Sequence, residues 1–154
     1  SLESTGRVVV VNRSYGGVGL LRPQFEDYLQ ETMQGAPEVV VAMLGGWDLG
    51  EALAAPEDYR LRIEQVFDRL LADGALVVWL GMPPTPPGEG LEEGRLVIKE
   101  LFVEAAAERP DTDYWSTDVL LGGPDGRFRR VRPGLDGHPA QVRTLPLSCP
   151  LYIL

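Results

Sequence analysis

The chain has 154 residues, a length typical of one domain that buries roughly two thirds of its unfolded surface. Acidic residues outnumber basic residues by 23 to 14, which gives a formal net charge of -9. A field of that sign repels phosphate backbones and anionic lipids, so it argues against nucleic acids and membrane surfaces as partners. A single cysteine, Cys149, excludes an internal disulfide and a cysteine-rich zinc site. No apolar run reaches the ~20 residues of a membrane span. We therefore predict a single domain over residues 1–154.

Apolar runs alternate with helical stripes along most of the chain. The runs, which predict buried strands, lie near residues 7–11, 38–44, 75–80 and 113–116. The stripes, which predict amphipathic helices, lie near residues 24–34, 57–73 and 92–108. This alternation is typical of βαβ units, whose right-handed crossovers place helices on both faces of a parallel sheet. The sequence predicts a three-layer α/β domain whose parallel sheet has at least four strands.

The last third of the chain breaks this alternation. A glycine-rich turn at residues 122–126 precedes the arginine cluster of residues 127–132. This pattern favours an exposed edge strand that its charges protect from further pairing, with an acidic partner as the alternative. From Pro133 onward the sequence predicts mostly loop.

Glycine and polar residues follow the first two predicted strands. Gly17 and Gly19 belong to a glycine-rich turn, and Gly46, Trp47 and Asp48 follow the second strand directly. Ligands of open α/β sheets bind beyond the carboxyl ends of the strands, and glycines let backbone N–H groups converge on them. We predict that Gly17, Gly19, Gly46 and Trp47 line one crevice. A plain turn with a buried tryptophan is the alternative.

Any serine-histidine mechanism within this chain must use His138, the only histidine. Ser14 is the better nucleophile candidate because it follows a predicted strand and precedes the glycine-rich turn. The orienting carboxylate would be Asp136 or Asp118. A solvated loop histidine is the alternative, since glycine and proline flank His138.

Under that alternative, we predict that His138 is exposed and beyond hydrogen-bond reach of three serines, Ser14, Ser116 and Ser148.

The sequence contains no motif that would bind a metal ion or a nucleotide. It has no histidine pair, no Asp-x-Asp loop and no HExxH motif, and its glycine-rich turn lacks both GxGxxG and GK[ST] spacing. No metal and no cofactor are predicted.

Three segments resemble, in order, blocks of bacterial SGNH (GDSL-type) hydrolases, most closely a branch common in actinobacteria. They are residues 12–23, 43–48 and 78–84, and the similarity extends over most of the chain. The resemblance implies a three-layer flavodoxin-like fold and an enzyme that cleaves or transfers acyl esters. It also implies a serine nucleophile in an early Gly-Asp-Ser block, a late Asp-x-x-His, and an oxyanion hole. That hole would use Gly17 or Gly19 and the Asn of a Gly-x-Asn-Asp block.

Several positions depart from the family pattern. Trp47 stands where the family has the asparagine, and its indole offers a single N–H with much more bulk. No Gly-Asp-Ser occurs, and the first predicted strand matches the family's second block better, so we expect the nucleophile strand to be absent. Asp136 precedes His138 by two residues instead of three.

Ser14, Asp136 and His138 are therefore candidates with an incomplete motif. The expected function is that of an SGNH-like domain, related to ester hydrolases and acyltransferases, that is catalytically impaired in this chain. Its expected partner is a small acyl-ester or carbohydrate-type ligand. The alternative is an active esterase that uses variant serine and histidine residues. The sequence leaves open whether the bacterial compartment is cytoplasmic or extracytoplasmic.

Overall fold

The computed structural model describes residues 8–13, 16–134 and 136–142. Its elements, in chain order, are α1 (Gln24–Met33), β1 (Val39–Ala42), α2 (Leu49–Ala54), α3 (Pro56–Leu71), β2 (Leu76–Leu80), α4 (Glu92–Ala107), β3 (Thr112–Trp115), α5 (Asp118–Leu121), β4 (Val131–Pro133) and β5 (Pro139–Gln141). The three long predicted helices are confirmed as α1, α3 and α4. The α/β class is confirmed as well.

The central sheet is parallel and has the strand order β1-β2-β3. Its register places Val40 opposite Val77, and Val77 opposite Thr112. These strands confirm three of the four predicted ones. β4 and β5 form a separate antiparallel hairpin. The basic segment is therefore partly a strand, and the three residues of β5 add a short strand to the stretch beyond Pro133 that was predicted to be mostly loop.

One face of the sheet carries the core. Trp79 of β2 stacks on Phe102 of α4, with ring centroids 4.2 Å apart, and meets the edge of Phe67 of α3 at 5.6 Å. All three rings are buried, and such pairs contribute about 0.5–1.5 kcal/mol each beyond the burial of their area. α3 and α4 therefore cover the face to which Val77 and Trp79 point.

α1 lies beside α3, to which ion pairs join it. Glu26 accepts hydrogen bonds from Arg62 and Arg69 of α3, and the Arg62 guanidinium lies over the Phe25 ring. α3 begins at Pro56, a residue suited to the first helical position because its missing N–H would have no partner there. Along the described residues, no helix combines the length and the apolarity needed to cross a bilayer.

Two expectations about the sheet are corrected. The predicted strand near residues 7–11 is wrong, because residues 8–11 lie outside the sheet and are exposed, Val9 to 90%. A run of valines favours extended backbone, but it becomes a strand only when another strand satisfies its hydrogen bonds. The sheet accordingly has three strands in the described part of the chain, not four. Its second face, which includes Val39, Val41 and Leu76, is half exposed, and α3 and α4 lie on the opposite side.

Candidate functional site

Three loops meet beyond the carboxyl ends of β1 and β2. A Cβ placed on Gly17 would lie 3.8 Å from the Trp47 ring, and one placed on Gly46 would lie 3.5 Å from the Met82 sulfur. Gly17 has a φ of +74° and Gly45 a φ of +115°, values that L-residues with side chains rarely adopt. The sharp turns at these glycines therefore bring the loop before α1, the loop after β1 and the loop after β2 together.

Asp48 joins the first two of these loops. Its side chain is fully buried, and Oδ2 accepts hydrogen bonds from the Leu20 backbone N–H at 2.5 Å and from the Tyr59 hydroxyl at 3.1 Å. Oδ1 has no hydrogen-bond partner, and the nearest cation is Arg22, whose Nε lies 4.0 Å away. Burial raises the pKa of Asp48, and the donors and Arg22 oppose that shift only in part.

Gly19 is where the chain passes closest to this carboxylate. A Cβ at residue 19 would stand 2.1 Å from Asp48 Oδ1 and 2.5 Å from its carboxyl carbon. No larger residue fits without moving the aspartate. The glycine is therefore needed for packing against Asp48, a requirement distinct from the backbone role predicted from the glycine-rich pattern.

Trp47 is exposed, which corrects the alternative of a buried tryptophan. Its side chain is 54% accessible, while Arg22 donates from Nη2 to the Trp47 carbonyl at 2.9 Å. Nη2 of the same arginine also reaches Glu51 at 3.1 Å. The loop is thus held through its backbone, and the indole stays available to a ligand.

A family model described as "Protein of unknown function (DUF459)" matches residues 1–145, most of the chain. The chain belongs to the DUF459 family. No curated protein matches it. The loop before α1 and the loop after β1, which meet around Asp48 and Trp47, lie within the matched part of this DUF459 domain.

Of the predicted catalytic residues, the described part of the DUF459 domain includes Asp136 and His138 but not Ser14. Ser14 and Ser148 lie outside the described residues. His138 is exposed, as predicted, and its backbone N–H donates to Asp136 Oδ1 at 3.0 Å. Asp136 therefore caps the turn through the backbone, and within the described residues the imidazole makes no hydrogen bond. Ser116 Oγ accepts the Asp118 backbone N–H at 3.3 Å. The catalytic roles of Ser14, Asp136 and His138 stay predictions.

A second polar cluster of the DUF459 domain surrounds Asp118, which begins α5 just after β3. Arg95, whose side chain is only 2% exposed, donates from Nη1 to Asp118 at 2.7 Å and to the Met82 carbonyl at 3.2 Å. Lys99 donates to the other carboxylate oxygen of Asp118. Partial burial would raise the pKa of Asp118, but the Lys99 hydrogen bond and the Arg95 charge outweigh it and hold that pKa below its usual range.

Glu92 extends this cluster to the proline-rich loop after β2. It accepts hydrogen bonds from Arg95 at 2.6 Å and 2.9 Å, and from the backbone and hydroxyl of Thr85 at 2.8 Å and 2.7 Å. Both oxygens of Asp118 are bound to cations, and within the described residues no hydrogen bond joins Asp118 to the His138 ring, so the role of Asp118 as an orienting carboxylate stays a prediction. The cluster fixes the loop and α5 in place.

Sequence reasoning located the loops but missed the residues that hold them. Tyr59 belongs to the apolar stripe of α3, and nothing in the sequence pattern singles out its hydroxyl, Arg22 or Arg95. Their roles depend on partners far along the chain, for which one sequence carries no signal. In the described residues, no group of three His, Cys, Asp or Glu side chains is placed to hold a metal ion.

Proposed function

We propose that this chain is an SGNH (GDSL-type) hydrolase-like domain, related to ester hydrolases and acyltransferases. The observation that carries the proposal is the meeting of the three segments that resemble successive blocks of that family. Gly17 lies beside Trp47, and Gly46 lies beside Met82, although long stretches of chain separate them. Segments that build one site are expected to meet beyond the carboxyl ends of the strands, where open α/β sheets bind ligands. A flavodoxin-like arrangement of the complete sheet is part of this proposal.

We further propose that hydrolysis is impaired in this chain. Trp47 replaces the amide that the family pattern places in the oxyanion hole, and losing such a donor costs about 3 kcal/mol of transition-state stabilisation. A general base must also come within about 3 Å of the hydroxyl that it deprotonates. The exposed ring of His138 makes no hydrogen bond to Ser116, the one serine in the described residues. Both observations support a binding role over turnover.

The proposed partner is a small acyl-ester or carbohydrate-type ligand at the exposed face of Trp47. An indole ring offers apolar contact area to acyl chains and to the C–H faces of sugars. Gly17 contributes only backbone to the edge of this ring, so it leaves room for a ligand. Arg22 adds a cation beside the same loop, close to where ester or hydroxyl oxygens would lie.

Hydrolysis of p-nitrophenyl acetate and labelling by a fluorophosphonate probe test the catalytic half of the proposal. We expect the chain to hydrolyse the ester no faster than its His138→Ala variant, and to remain unlabelled. Trp47→Asn, which restores an amide at this position, is the matched variant. Its hydrolysis rate is expected to be equal to or above that of the parent chain.

Tryptophan fluorescence tests the binding half. Ethyl butyrate and methyl glucoside serve as the acyl-ester and carbohydrate probes, and one of them is expected to shift the emission in a saturable way. Trp47→Phe should abolish the shift, whereas the exposed Trp115 serves as the control position in Trp115→Phe. A shift that survives Trp47→Phe would contradict a ligand at this loop.

The alternative function is an active esterase with Ser14, Asp136 and His138 as catalytic residues. The observation that favours it is the shared turn of Asp136 and His138, which leaves the imidazole accessible. Hydrolysis by the parent chain that disappears in both Ser14→Ala and His138→Ala would establish this alternative and overturn the impaired site.

A further inference from the structure

The second face of the parallel sheet is open in the described part of the chain. Alternate residues of the three strands point to it: Val39 and Val41 from β1, Leu76, Val78 and Leu80 from β2, and Asp113 and Trp115 from β3. Asp113 is the one charged residue among them. We call this set the open face. Four of its members are at least half exposed, Val39 to 51%, Val41 to 58%, Leu76 to 50% and Trp115 to 59%. Parallel sheets occur almost only with both faces covered, so this face needs a cover.

The size of the open face argues against a second copy as that cover. Its six apolar side chains, all partly exposed, offer a patch of a few hundred Å². A stable dimer buries about 800 Å² on each partner. The net charge of -9 also makes two copies repel each other. A single short segment of chain matches the patch better.

Residues 143–154 have the composition of such a segment. They include six large apolar side chains, Leu145, Leu147, Leu151, Tyr152, Ile153 and Leu154, and Arg143 is their only charge. Pro146 and Pro150 have no N–H to satisfy, so the segment can lie on an apolar surface with fewer unpaired donors than other sequences. Left in water, these side chains and the open face would both lose the favourable free energy that apolar surface gains on burial.

The segment also begins in a suitable place. The backbone N–H of Val142, which precedes it, donates to the Arg130 carbonyl at 3.1 Å. Arg132 of the same hairpin donates to the Val119 carbonyl of α5 at 3.4 Å. α5 follows closely after Trp115, an open-face residue. Twelve extended residues span up to about 40 Å, more than the length of β2 and the width of three strands together.

We propose that residues 143–154 of this chain cover the open face by lying across β1, β2 and β3. The segment then supplies the third layer, on the side of the sheet opposite to α3 and α4. The proposal is independent of the function assigned to the Trp47 loop.

Cys149, the only cysteine, makes the test specific. A nitroxide attached to its thiol broadens NMR signals of nearby methyl groups in the full chain. We expect the methyl signals of Val39, Val41 and Leu76 to be lost and to return when the nitroxide is reduced. The methyl signals of Leu61, which is 56% exposed on α3 and thus on the other side of the sheet, should be unaffected. Equal broadening at Leu61, or none at the open face, overturns the proposal.

A mixed sample separates the segment from a second copy. Isotope-labelled chain without nitroxide is combined with unlabelled chain that carries it, and no broadening is expected. Broadening of the open face in this sample would show that another copy covers it, contrary to the proposal.

Disulfide trapping gives a readout that needs no spin label. Under mild oxidation, Leu76→Cys should form an intrachain bond to Cys149, and the equally exposed control Leu61→Cys should not. Equal trapping of both, trapping of the control alone, or bonds only between chains would contradict the proposal.

Discussion

Asp48 and Asp118 both follow strands of one sheet at its carboxyl end, but their surroundings shift their pKa values in opposite directions. Asp48 is fully buried, and the cation nearest to it among the described residues, Arg22, stands 4.0 Å away. Asp118 is less buried and is bound directly by Arg95 and Lys99. Burial raises the first pKa, and the cations lower the second in spite of burial. The difference shows that burial and the number of close cations, more than the position in the fold, decide the direction in which the pKa of a carboxylate shifts at this edge.

The two regions also hold the chain in different ways. The Asp48 region joins two loops through hydrogen bonds and close packing, with Gly19 as the point of tightest contact. The Asp118 region is an ion-pair network in which each charge has a partner of opposite sign. The stability of the Asp48 region should therefore depend on side-chain volume at residue 19. The stability of the Asp118 region should depend on the presence of each charge.

The largest expected effect is that of Arg95→Met. It removes the cation from a network in which Arg95 is 2% exposed and Asp118 14% exposed. Breaking a buried pair by removing one partner costs 3–5 kcal/mol, and we expect about 3 kcal/mol because Glu92 stays partly solvated. Urea unfolding measures the change. The control is Arg60→Met, which breaks more exposed ion pairs with Glu64 and Glu108 and should have a much smaller effect. Equal effects would mean that the network adds little stability.

Gly19→Ala should have the next largest effect. The added Cβ would stand 2.1 Å from Asp48 Oδ1, and overpacking of this kind costs about 1–3 kcal/mol of the free energy of unfolding. Gly50→Ala is the matched control, because a Cβ there meets nothing within 4 Å and lies in a helix. It should stabilise the protein by up to about 1 kcal/mol. A stability of Gly19→Ala equal to the parent would show that the loops separate easily.

The smallest expected effect is a pair of opposite pH dependences, read from Asp48→Asn and Asp118→Asn. The raised folded-state pKa of Asp48 gives stability that is present below the unfolded value of about 3.9 and is lost as the pH rises through the folded-state value. The lowered folded-state pKa of Asp118 gives stability that is present above about 3.9 and is lost as the pH falls through the folded-state value.

Urea unfolding between pH 3 and pH 8, compared with the parent chain, measures both. The advantage of the parent over Asp48→Asn should shrink as the pH rises, and its advantage over Asp118→Asn should shrink as the pH falls. Difference curves with the same slope would contradict the opposite environments inferred for the two carboxylates.

How much of this site follows from the sequence can be judged residue by residue. The approach of Gly17 to Trp47 agrees with the expected crevice, but only half of the reason given for it holds: Trp47 follows β1, whereas no strand precedes Gly17 in the described residues. The bonds of Asp48 do not follow, because Leu20 and Tyr59 lie 28 and 11 residues away in the chain. Nor does the pairing of Arg95 with Asp118, since a single sequence says which residues are charged but not which of them meet.

The sequence by itself determined the α/β class, three strands and three long helices, because the period of apolar residues records which side of each element is buried. It did not determine which other elements bury those apolar side chains. Residues 8–11 have the composition of a strand but no partner in the described part of the chain, and the open face has the composition of a core but half-exposed side chains. Strand pairing, the cover of a sheet and the pKa of a buried carboxylate all depend on atoms from distant parts of the chain, and only the tertiary structure brings those atoms together.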